Sequence, residues 1–175
     1  MKIRTKQITV TAIMLAICIL SQFFKNLSVY ITGPIINAAL ILTVLYAGTV
    51  CGIILSIITP VTSFFITGSP IMAAIPAMFP CIMIGNIILV LCVGLLHTKF
   101  GAKAGLPVSI GIGAVLKQFH GNLNFSDHSS DIPSGKNAAD ASRLTAQFSL
   151  TQLITAIIGG VYAVIIAAVL KKTNF

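Results

Sequence analysis

Glutamate is absent from the chain, and the only acids are three aspartates, Asp127, Asp131 and Asp140. None of them lies in a segment apolar enough to enter a bilayer. Proton relays and metal-dependent membrane enzymes carry carboxylates at depth, so this scarcity argues against both. The four cysteines, Cys18, Cys51, Cys81 and Cys92, have no CxxC spacing and sit in apolar runs, where a thiol serves as a small buried hydrophobe. No glycine-rich loop is present to cradle a nucleotide phosphate. No nucleophile–base pair stands out, which makes an enzyme the weakest functional reading. A small-x-small cleavage site is also missing before Lys25. The apolar run after Met1-Lys2-Ile3-Arg4-Thr5-Lys6 therefore reads as a retained first helix, not a signal peptide.

What the chain does have is apolar length. Of its 175 residues, 57% are hydrophobic and 8% charged, the composition of one integral membrane domain covering residues 1–175. The formal net charge of +8 does not gather on one soluble face, as nucleic-acid binding would need. Most basic residues fall at predicted helix ends, where they orient a membrane protein.

Lys2, Arg4 and Lys6 place the start of a first helix, about Ile8 to Phe24, in the cytoplasm. Ala12 and Ala16 share one face of it, and small residues four apart let another helix approach closely. Residues 25–34 read as an outer loop in which Tyr30 is either an interface anchor or the cap of a pocket. A second helix follows from Ile35 to about Tyr46, with Asn37 near its outer end. Ala47-Gly48 makes a tight turn into a third helix, about Val50 to Ile66. Pro60 interrupts that helix, and Thr59, Thr62 and Ser63 stand ready to bond the carbonyls it frees.

The uncharged stretch Ser69 to Leu96 is long enough to cross a hydrocarbon layer of about 30 Å. Pro70, Pro76 and Pro80 crowd its first part, and Gly85-Asn86 stands in its middle. Inside a bilayer such breaks are tolerated only where they are buried in protein or line a cavity. The expectation is a broken helix facing an internal site, with the other helices packed around it. A basic inner loop, 97–103, then returns the chain.

The next apolar run, Gly105 to Leu116, is only about 12 residues and too short to span. Residues 118–144 are polar and loop-like, and a clear final helix runs from Phe148 to Leu170, followed by Lys171-Lys172. Two cytoplasmic termini require an even number of crossings, yet five can be counted. The genetic code suggests a cause. Asn, Asp and His codons read one base later encode Ile, Met or Thr, so residues 118–146 are consistent with a frame-shifted apolar helix and short outer loop. His120, Asp127, His128 and Asp131 lie in that segment without regular ligand spacing, and no metal site is assigned to them. Lys117 sits at its edge. If a fifth helix exists, Lys117 is an intramembrane cation and a candidate for an anionic substrate group; otherwise it is a loop lysine. Gln152, at the start of the final helix, is a candidate to share a pocket with Asn37 and Asn86.

Several stretches in order carry a family likeness. They are Thr11-Ala12-Ile13-Met14-Leu15-Ala16 after a basic N-terminus, Thr32-Gly33-Pro34-Ile35-Ile36-Asn37-Ala38, Pro80 to Asn86 (PCIMIGN), and Phe148 to Gly160 (FSLTQLITAIIGG). Over about residues 5–117 and 147–172 the chain resembles the substrate-binding S component of energy-coupling factor vitamin transporters. The resemblance implies an all-α, six-helix membrane bundle, its fifth helix disrupted in the sequence as written. It implies a small-molecule site near the outer face, covered by the loop after helix one. It also implies docking through Ala12 and Ala16 onto a transmembrane T component, with two cytoplasmic ATPases binding the ATP and no cofactor on this chain. The candidate substrate-binding residues are Tyr30, Asn37, Asn86, Lys117 and Gln152. Their amide and hydroxyl groups, with one lysine, suit pantothenate, a pyrimidine, a pyridine or a flavin about equally. A stand-alone secondary transporter or channel for a small solute is the alternative, and the lack of membrane carboxylates counts against it.

Overall fold

The computed structural model describes residues 4–24, 29–68, 78–128 and 138–172, and all the regular structure among them is helical. Six helices follow in order: α1 (Thr5–Phe23), α2 (Val29–Ala47), α3 (Thr49–Thr67), α4 (Met78–Leu96), α5 (Gly101–His128) and α6 (Ala138–Lys172). Five segments are long and apolar enough to cross a membrane: α1, α2, α3, α4 from Phe79, and α6 from Leu150. The chain is therefore an all-α, multi-pass membrane protein. Successive helices run in opposite senses, so Arg4 and Lys172 lie at the same end of the bundle, here the basic end.

Gln7 ties the first helix to the second. Its side-chain oxygen accepts the Arg4 N–H at 2.9 Å, capping α1, while its Nε2 donates to the Ala47 carbonyl at 2.7 Å. The link from α2 to α3 is the single residue Gly48, whose φ of +94° suits glycine. α2 is the centre of the bundle, in contact with α1, α3, α4 and α6. Residues 37–44 are buried without interruption, as expected for a helix that is apolar on every side.

That central role corrects the expectation that the 69–96 stretch would be the hub. The described part of that stretch, α4, is also unbroken. Pro80 falls in its first turn, where its missing N–H has no intrahelical partner to lose. Gly85-Asn86 lies within continuous helix. Pro70 and Pro76 are outside the described residues.

Two boundaries and one hydrogen-bonding pattern also differ from the sequence reading. α2 starts at Val29 and absorbs Pro34 near its first turn, so Asn37 is mid-helix, not near the outer end. At Pro60 the freed carbonyl is that of Ser56, yet Thr59 and Thr62 donate to the carbonyls of Leu55 and Thr59. Residues 118–128 and 138–149 are helical, not loop. Once a helix is nucleated each added residue gains a bond, and Ala138-Ala139-Asp140-Ala141-Ser142-Arg143-Leu144 is rich in helix formers. At 1.5 Å per residue, the 28-residue α5 is about 42 Å long and the 35-residue α6 about 52 Å. The four 19-residue helices reach only about 28 Å. The polar parts of α5 and α6 therefore project beyond the apolar bundle at the end opposite the basic one.

Candidate functional site

Three predicted site residues meet at the centre of the bundle. Lys117 of α5 is 6% exposed, Asn37 of α2 is 3% and Asn86 of α4 is 4%. The Lys117 Nζ donates to Asn37 Oδ1 at 2.9 Å and to Asn86 Oδ1 at 2.8 Å. Asn37 and Asn86 are each the ninth residue of a 19-residue helix, so the amine is held near mid-depth.

The surrounding helices set this geometry. The antiparallel register of α4 and α5, with Gly113 against Leu89, brings Lys117 beside Gly85 and Asn86. Its aliphatic stem passes Gly85, where an added Cβ would stand 3.3 Å from the lysine Cγ. Asn37 is oriented by its own backbone, since its Nδ2 donates to the Gly33 carbonyl at 3.0 Å and leaves Oδ1 facing the amine. Gly159 of α6 lets that helix come close, because a Cβ there would lie 2.7 Å from Asn37 Cβ and 2.5 Å from the Pro34 carbonyl oxygen.

An ammonium has three N–H donors, and two are met here by neutral amide oxygens. Asp127 is ten residues further along α5, about 15 Å along the axis. A cation so placed is expensive in a membrane and marks a functional position by default. The arrangement offers one positive charge with two flanking amides, suited to binding a small polar or anionic group.

Tyr30 and Gln152 are not brought into this triad. Tyr30 is 54% exposed at the start of α2, and Gln152 is half-buried near the point where α6 becomes apolar. The register of α2 and α6, with Gly33 beside Thr155 and Asn37 beside Gly159, puts Gln152 roughly level with Tyr30. That level is seven residues above Asn37, about 10 Å. Ala12 and Ala16 are both exposed on α1, on a face they share with Ile8 and Leu20. The loop after α1, which the family likeness places over the site, lies outside the described residues at 25–28.

Sequence reasoning missed a second buried polar group between α1, α2 and α3. Gln22 is 1% exposed and its Nε2 donates to the Thr59 carbonyl at 3.1 Å. Thr32 Oγ1 donates to the Ser21 carbonyl at 3.3 Å. The available signal was the polar pair Ser21-Gln22 closing an otherwise apolar run. No family model, curated protein or solved structure matches the chain.

Proposed function

We propose that this chain is the membrane-embedded substrate-binding subunit of an energy-coupling factor type transporter. It captures a small water-soluble vitamin or precursor and is not itself an enzyme. The observation that carries the reading is the buried Lys117 amine held by Asn37 and Asn86 at the centre of the bundle. Tyr30 and Gln152 form an outer tier that a solute entering from the end opposite the basic one meets first. The free face of α1 at Ala12 and Ala16 is the docking surface for a T component, and paired cytoplasmic ATPases supply the energy. The protein sits in the cell membrane with both termini cytoplasmic.

Purified protein should bind one member of a broad vitamin panel, read as a thermal shift or as ligand co-purifying with it. No shift and no bound ligand across the panel would sink the proposal. The alternative, a stand-alone secondary transporter, gains from the same observation, because a buried amine can also carry a proton. Uptake that persists in cells lacking every ATPase partner selects that alternative.

A further inference from the structure

At the basic end a cleft of about 550 Å³ opens between the C-terminal ends of α2, α4 and α6 and the start of α5. Its polar wall consists of Tyr46, His97, Thr98 and Lys171. Its floor is apolar, made by Leu45, Leu106 and Ala167. None of these residues belongs to the Lys117 site, and no role assigned above uses them.

The groups are arranged to receive an anion. Lys171 and Thr98 are exposed, with donors free to turn inward. His97 Nδ1 lies 2.7 Å from the Val93 carbonyl. A carbonyl only accepts, so Nδ1 carries the hydrogen and the ring is fixed as a wall of the cleft, while the donors that can meet an anion are those of Lys171, Thr98 and Tyr46. Gly101, the first residue of α5, also lines the cleft and adds the positive end of a 28-residue helix. The acids are elsewhere in the chain, all between residues 127 and 140. One lysine and two hydroxyls over an apolar floor, at the end of a membrane bundle, match a molecule with a singly charged head and a hydrocarbon tail. A free anion would have no use for the floor.

We propose that this cleft seats the phosphodiester headgroup of an anionic bilayer lipid, with the first carbons of an acyl chain against Leu45, Leu106 and Ala167. Basic pockets between membrane helices favour such headgroups. The site is independent of the transport reading and stands or falls without it.

The test uses the full-length protein and native mass spectrometry, with phosphatidylglycerol and phosphatidylcholine of identical acyl chains as probes. Wild-type protein should retain phosphatidylglycerol preferentially. Lys171→Ala should weaken that retention about fivefold, the factor one cation contributes near an anionic surface. Ala167→Phe should weaken it too, by filling the cleft with no change of charge. Lys172→Ala, beside the cleft but not lining it, should leave retention unchanged. Equal retention of the two lipids overturns the proposal, as does an equal loss in K171A and K172A, which would indicate diffuse surface charge. Retention untouched by A167F assigns the cleft to another occupant and overturns it as well. Displacement of the lipid by millimolar inorganic phosphate would mark a free-anion site instead.

Discussion

Lys117 is held by two neutral amide oxygens, so its charge and its packing can be changed separately. Lys117→Met keeps the volume of the stem but leaves the oxygens of Asn37 and Asn86 unpaired, at about 1–3 kcal/mol for a buried group. Both thermal stability and solute binding should fall. Asn86→Asp acts differently, because it gives the amine a permanent anion. Stability should hold within about 1 kcal/mol, since a buried ion pair gains little net energy, while binding of an anionic solute is lost. Thermal unfolding with and without ligand distinguishes the two variants, and ligand binding retained in N86D would show that the solute brings no negative charge to Lys117. Gly159 tests the packing beneath the site. Gly159→Leu drives a side chain into Asn37 and Pro34, and overpacking of this kind costs about 1–3 kcal/mol. The melting temperature should drop, and ligand affinity with it. The polar members of the triad were legible in the sequence because an amide or amine in an apolar run is conspicuous. The neighbours of the glycines were not, since Gly85 and Gly159 meet atoms of other helices far away in the chain.

α1 is the least enclosed of the six helices, and its exposed face carries Ala12 and Ala16 with Ile13 and Ile17 nearby. Gln7 and Gln22 fasten it at its two ends, to the carbonyls of Ala47 and Thr59, which leaves the alanine face free for a partner. Ala12→Trp or Ala16→Trp should abolish co-purification with a T component while solute binding persists. Unchanged co-purification would remove the docking surface from the account. Apolar runs located the helices in the sequence, but their ends were harder to read. The outer loop read over 25–34 ended at Pro34, and the polarity of 118–144 suggested a loop. Neither cue registers a helix that simply continues past the apolar layer. α5 is still the one helix of the six without a span-length apolar window. We therefore expect resequencing across codons 117–147 to reveal compensating insertions or deletions that restore an apolar run. An unchanged reading would mean that the projecting polar ends of α5 and α6 are genuine.

Over the whole molecule the charges divide by end. Among the described residues, Arg4, Lys6, Lys99, Lys103, Lys171 and Lys172 all lie at helix ends or in the 97–100 turn toward the basic end. Lys136, Arg143 and all three aspartates fall in the polar stretch of sequence between the apolar parts of α5 and α6. Lys117 lies between. Lysine and arginine bias in short loops sets orientation, and it favours the basic end in the cytoplasm. Six helices of alternating direction also put the two termini on one side, which a five-crossing chain cannot do. The outcome can be read with epitope tags at each end of the chain. In sealed right-side-out membranes both tags should resist added protease, and both should be cut once the membrane is permeabilised. A C-terminal tag cut in intact vesicles would mean that α5 does not cross. Lys117 could then not lie at mid-depth between Asn37 and Asn86, and the central site would be lost along with the six-helix topology.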